Sequence, residues 1–113
     1  MINISGISLE AKWFGPRHIG GDDALILLHE GLGCIELWKD FPQALSIRSG
    51  LPTFCYSRQG YGLSDPVQLP RLESFMHKEG LEVLPEILDA TGIENAILVG
   101  HSDGGSISII SAG

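Results

Sequence analysis

The chain has 113 residues, 43% of them apolar and 19% charged, with a net charge of −7. That length holds one small domain at most, and the apolar share excludes a disordered tail. The basic residues Lys12, Arg17, Lys39, Arg48, Arg58, Arg71 and Lys78 are scattered, so none of them lines a phosphate track, and the longest apolar runs fall far short of the ~20 residues that span a bilayer.

Neither nucleic acid nor a membrane is therefore an expected partner. The first residues lack the basic and apolar regions of a signal peptide, and Cys34 and Cys55 match no metal or redox spacing. The expectation is a reduced, cytoplasmic protein with no cofactor and no metal, in which Cys55 is a small core residue.

In chain order, a short strand near Ile2 to Ile4 is expected to pair across a turn at Gly6 with the next segment. There Leu9, Ala11 and Trp13 alternate with Ser8, Glu10 and Lys12, the pattern of a half-buried strand at a sheet edge. Gly15 to Gly21 reads as a loop. Three apolar runs follow, Ala24 to Leu28, Pro52 to Tyr56 and Ala96 to Val99. Runs without alternation belong to strands covered on both faces, as in parallel sheets.

Helical patterns separate these strands. Trp38, Phe41 and Leu45 recur at helical spacing, with Pro42 as a kink or first-turn residue. Leu72, Phe75 and Met76, then Leu84, Ile87, Leu88 and Thr91, mark a longer helix that Gly80 and Pro85 should bend and Gly92 should end. Alternating strands and helices predict an α/β fold with a mostly parallel sheet of about five strands. In such sheets the chemistry collects beyond the carboxyl ends of the strands. Three glycine-rich segments fall there: His29 to Gly33, Ser57 to Asp65 and Gly100 to Gly105.

The last of these, Gly100-His101-Ser102-Asp103-Gly104, fits G-x-S-x-G. In a glycine-rich chain the match alone is weak; its place between a strand run and the helical stretch Gly105 to Ile110 supplies the specificity. A turn this sharp packs neighbouring chain against Gly100 and Gly104, where a side chain would collide. It leaves the Ser102 hydroxyl projecting at a helix N-terminus, whose free N–H groups favour a developing oxyanion. The plainer alternative is a serine capping the helix after an ordinary turn.

Together the three segments resemble the α/β-hydrolase family. Leu27-Leu28-His29-Glu30-Gly31-Leu32-Gly33 looks like the oxyanion loop after that family's third strand, usually His-Gly-x-x-Gly. Tyr56 to Asp65, with Gly60-Tyr61-Gly62-Leu63-Ser64-Asp65, is similar to the loop after its fourth strand, and Gly100 to Gly105 resembles the nucleophile elbow after its fifth. The resemblance implies Ser102 as nucleophile and the backbone N–H of Asp103 as one oxyanion donor. The second donor is the N–H of Gly31, with Leu32 the neighbouring alternative; Glu30 departs from the family's usual glycine. It further implies an ester-like or carbon–carbon substrate, a small molecule with an acyl or ester group. Serine at the elbow argues against haloalkane dehalogenases and epoxide hydrolases, which share the fold but attack with a carboxylate.

The resemblance also makes residues 1–113 the N-terminal part of a single α/β-hydrolase domain, incomplete. The family's triad runs Ser, then Asp or Glu, then His, and no histidine follows Ser102 here. His29 is expected to hold its turn by hydrogen bonds, and His101, next to Ser102 on a strand end, to point to the opposite face. His18 and His77 belong to no constellation; Asp65 is expected to close a turn before Pro66, and Tyr61 either lines the cleft or packs on its own loop. Ala96 to Val99 would form a bare apolar edge, which invites self-association or a complementing chain. Two rival readings remain, a catalytically inert fragment or binding remnant of the fold, and a dinucleotide-binding βαβ unit. The latter rests on Gly31 to Glu36 as a partial G-x-G-x-x-G, with Arg58 meeting a 2′-phosphate.

Overall fold

The computed structural model describes residues 1–4, 6–19, 23–29, 34–59, 61–64, 78–101, 104, 107–108 and 110. Six strands are present among them: β1 (Ile2–Ile4), β2 (Ile7–Leu9), β3 (Ala11–Phe14), β4 (Asp23–Leu28), β5 (Thr53–Tyr56) and β6 (Asn95–Gly100). β1 and β2 form the expected hairpin, Ile2 opposite Leu9, and the Asn3 side chain accepts from the Gly6 N–H at 3.0 Å to close the turn. The other four make one mixed sheet in the order β3-β5-β4-β6, with β3 antiparallel to β5 and the remaining pairs parallel.

The apolar runs become strands because an unbroken run suits a site between two covering layers. Along β4, Ala24, Ile26 and Leu28 face one core with Phe54 and Tyr56 of β5, while Leu27 faces the other with Cys55. The first core is closed by Leu84, Ile87 and Ile107, the second by Ile35, Trp38 and Leu45. β4 connects to β5 through α1 (Phe41–Ser49), and β5 to β6 through α2 (Leu84–Thr91). The two connections run in opposite directions along the sheet and place their helices on opposite faces, as a single crossover hand requires.

Several elements differ from the sequence-based expectation. The strand expected from Ser8 to Trp13 is interrupted at Glu10, whose N–H is drawn to the Ser64 hydroxyl at 2.7 Å. Trp13 shares the face of Leu9 and Phe54 but is 39% exposed, because β3 lies at the sheet margin; its ring stacks on His18. β6 is the bare edge expected of it, pairing with β4 alone among the described residues, but its faces are covered only in part: Ala96 and Leu98 pack on one core and Val99 on the other, while Ile97 is exposed. α1 has Pro42 in its first turn, yet it buries Pro42 and Ser46 and leaves Phe41 exposed, stacked on Trp38.

The bend expected near Gly80 and Pro85 takes a definite form. Residues Glu79–Val83 make a π-helical turn, closed by the Leu84 N–H donating to the Glu79 carbonyl, and α2 follows directly. Pro85 has no N–H to continue the regular ladder, so the helix widens just before it. Gly92 ends α2, its N–H on the Leu88 carbonyl at 3.0 Å. Leu72, Phe75, Met76 and His77 lie outside the described residues. No helix among the described residues is long and apolar enough to cross a membrane.

Candidate active site

The carboxyl ends of β4, β5 and β6 converge on a small region around His29. The β4–β6 ladder runs from Asp23–Asn95 to Leu28–Gly100, and the His101 N–H extends it by donating to the Leu28 carbonyl at 3.1 Å. The Gly104 N–H then donates to the His101 carbonyl at 3.0 Å, and Gly104, Ile107, Ser108 and Ile110 are helical. Strand therefore passes to helix within about one turn, the geometry an elbow needs.

Gly104 shows why the turn requires glycine. A Cβ placed on it would overlap the Leu28 carbonyl oxygen and stand 2.6 Å from the Leu28 carbonyl carbon and 2.8 Å from the His29 oxygen. These are backbone atoms at the end of a central strand, with no freedom to step aside. The helix after the turn is also approached from behind, less closely: a Cβ on Gly80 would lie 3.0 Å from the Ile107 oxygen.

His29 is 2% exposed, and its Nε2 accepts a hydrogen bond from the Arg58 N–H at 3.0 Å. The ring proton therefore sits on Nδ1, and the lone pair a general base would use is already engaged. This meets the expected role of His29 as a turn-holding residue. Arg58 is itself buried, and its Nη1 donates to the His29 carbonyl at 2.6 Å. Tyr61 meets the His29 ring edge-on at 4.9 Å and lies under the Arg58 guanidinium at 5.4 Å, so it packs on its own surroundings. His101 is exposed and lies 6.5 Å from the Trp38 ring, on the side of the Leu27 and Cys55 core.

A second network ties the loops from below. The Glu10 carboxylate accepts from the Ser57 hydroxyl at 2.8 Å and the Leu63 N–H at 3.3 Å. The Ser57 oxygen in turn accepts from the Ile35 N–H at 3.0 Å, and the Ser64 hydroxyl donates to the Ser57 carbonyl. Thus one carboxylate at the β2–β3 junction joins the segment after β4 to the loop after β5. Deeper still, the Tyr56 hydroxyl donates to Glu79 at 2.9 Å, both residues buried. Burial first, then the neighbouring Glu79 carboxylate, pushes the Tyr56 phenol well above its ordinary pKa, while the Arg58 charge pulls the other way.

Sequence reasoning missed Glu10 and Glu79, because each meets a partner far away in the chain. Ser57 and Ser64, which flank the glycines of the second loop, were the available signal. Of the residues singled out for chemistry, Ser102, Asp103, Gly31, Leu32 and Glu30 lie outside the described residues, as do Gly60, Asp65 and Pro66. Arg58 does not suit the dinucleotide reading: its guanidinium is buried and bonded to the His29 carbonyl, where no phosphate of a surface-bound cofactor could meet it.

A mixed, mostly parallel sheet with helices on both faces, its loops gathered at the strand ends around a strand–turn–helix bend, defines an α/β-hydrolase type of architecture. The family model for the alpha/beta hydrolase fold matches residues 23–112, and the chain belongs to that family. Among solved structures, an epoxide hydrolase from Vigna radiata matches with a TM-score of 0.78 and 20% identity, over 97% of this chain and 33% of that one. The enol-lactonase from Burkholderia xenovorans LB400 matches with a TM-score of 0.74 and 23% identity, over 94% and 38%. A protein described as a predicted CIB-like hydrolase from Thermoplasma acidophilum reaches 0.81 at 17% identity, over 98% and 53%. The chain thus spans a third to a half of the length of these structures, and the likeness is one of fold. No curated protein matches the chain.

Proposed function

We propose that Ser102 is the nucleophile of a hydrolase acting on an ester or a related acyl or carbon–carbon bond in a small molecule. Its hydroxyl oxygen would attack the substrate carbonyl, the leaving group would depart with a proton, and water would release the acid from the acyl-serine. The N–H groups of Asp103 and Gly31 would hold the oxyanion. The observation that carries this reading is Gly104, pressed without a side chain against the Leu28 and His29 backbone directly after the β6 end. That close approach is what a nucleophile elbow demands, and in the sequence Ser102 stands between Gly100 and Gly104. The likeness to an epoxide hydrolase supports the fold alone; position 102 carries a hydroxyl rather than a carboxylate.

The reading requires an acid and a histidine that the 113 residues do not contain after Ser102, apart from Asp103. A second reading follows from this same fact: the 113 residues by themselves are catalytically inert. Hydrolysis of p-nitrophenyl esters tests both. The protein expressed from its complete reading frame should turn over the ester and lose that activity in Ser102→Ala, while the 113-residue chain should not. Unchanged turnover in Ser102→Ala contradicts the first reading. A cytoplasmic setting fits both, since Cys34 and Cys55 are free thiols.

A further inference from the structure

The break between β2 and β3 falls on Glu10, and hydrogen bonds run from this residue to one loop, the one after β5. Two involve its backbone, and any residue there would make them: its N–H donates to the Ser64 hydroxyl at 2.7 Å, and its carbonyl accepts from the Ser57 N–H at 2.9 Å. Two more need a side-chain acceptor at this reach. Oε1 accepts from the Ser57 hydroxyl at 2.8 Å and from the Leu63 N–H at 3.3 Å. The same oxygen explains the glycine at position 62, where φ is +51°. A Cβ on Gly62 would overlap Oε1 and stand 2.8 Å from the Ser57 Oγ and 3.2 Å from the Cys34 Cβ. Held at Gly62 and Leu63, the loop leaves Tyr61 little freedom. The Tyr61 N–H donates to the Arg58 carbonyl at 2.9 Å and its carbonyl accepts from the Ser64 N–H at 3.0 Å, so the ring that meets His29 edge-on at 4.9 Å is anchored on both sides.

From this geometry we infer that Glu10 is a positioning residue: its side-chain oxygen sets the loop from Tyr61 to Ser64 and, through it, the place of the Tyr61 ring on His29. The family match begins at residue 23, so a segment that precedes the match supplies this part. The inference rests on the hydrolase reading for its effect on turnover, but not for the hold on the loop. What the loop requires is an acceptor at a fixed place, not a charge, because both donors that meet Oε1 are neutral groups. Glutamine presents the same oxygen at the same reach. Aspartate keeps the charge but is shorter by one methylene, and it withdraws the oxygen from the Leu63 N–H.

The test compares Glu10→Ala, Glu10→Asp and Glu10→Gln in the protein from its complete reading frame. Hydrogen exchange of the Leu63 amide should rise about ten-fold or more in Glu10→Ala and Glu10→Asp and stay within about two-fold in Glu10→Gln, with the amides of α2 unchanged in all three. The His29 ring resonances, which sense the Tyr61 ring, should shift in Glu10→Ala and return in Glu10→Gln. For ester hydrolysis, kcat/KM should fall about ten-fold in Glu10→Ala and Glu10→Asp and hold in Glu10→Gln. If Glu10→Ala does not fold, the contrast between aspartate and glutamine decides. Leu63 exchange or His29 resonances unchanged in a folded Glu10→Ala overturn the inference, and so does a Glu10→Gln that behaves like Glu10→Ala. A loosened loop with undiminished turnover overturns its part in the reaction. If the wild type turns over no ester, the hydrolase reading falls, and the exchange and the resonances still decide the role of Glu10.

Discussion

Gly104→Ala sets two elementary effects against each other with opposite signs. Gly104 lies in a helix, and helix propensity alone makes alanine better than glycine by up to ~1 kcal/mol. Sterics oppose this, because the added Cβ overlaps the Leu28 oxygen and stands 2.6 Å from its carbon, well inside contact. The obstructing atoms belong to the end of β4, which pairs on both sides with β5 and β6. Relief therefore means moving the helix or opening the last ladder bonds, His101 to Leu28 among them. Overpacking of this kind costs about 1–3 kcal/mol, and a backbone obstruction belongs at the upper end. A net loss of ~2 kcal/mol lowers the folded-to-unfolded ratio by about 30-fold. Urea titration of the two proteins, read by tryptophan fluorescence, measures it as a lower midpoint with an unchanged slope. A midpoint equal to or above that of the wild type would refute the steric argument, and with it the close approach on which the elbow assignment stands.

Other outcomes follow from the same contacts. Burial pushes the Cys55 thiol from 9.0 up to about 12, so at pH 8 it should react with a thiol reagent far more slowly than Cys34 and at a comparable rate only after unfolding. Because this folded value lies above the unfolded one, its stability contribution is whole below about pH 9 and declines above it, by about 1.4 kcal/mol per pH unit; denaturant midpoints between pH 8 and 11 read this slope, and a flat profile contradicts it. Tyr56→Phe deprives the buried Glu79 of a donor and should destabilise by about 1–3 kcal/mol, while an apolar site there would tolerate the exchange. Ser57→Ala breaks its bond to Glu10 and leaves the Ile35 N–H without its acceptor. It should cost a similar amount and raise hydrogen exchange at Ile35; protection unchanged there would remove the Glu10 network from the account.

What the sequence disclosed and what it withheld divide along a physical line. β4 and β5 were legible because an unbroken apolar run of strand length has few other ways to satisfy its side chains. The clustering of the three glycine-rich segments was legible because parallel strands bring their carboxyl ends together. Edge position was legible too, from the alternation around Trp13 and the apolar run Ala96 to Val99; how far single side chains emerge was not, since Trp13 is half-exposed at the margin and Ile97 is exposed on β6. Gly80 and Pro85 announced a defect in the helix without saying that it would be a π turn. The bonds from Ser57 to Glu10 and from Tyr56 to Glu79 join residues 47 and 23 positions apart, beyond the reach of any local pattern. Arg58 entered only as a phosphate contact in the dinucleotide alternative, because no sequence rule says that its carbonyl partner lies in another loop.

The most direct test of the central claim is covalent labelling with a fluorophosphonate, followed by mass spectrometry of the peptide that contains residue 102. In the protein from its complete reading frame the account predicts one adduct, on Ser102, absent from Ser102→Ala. No adduct on the folded protein, or one that persists in Ser102→Ala, would contradict it.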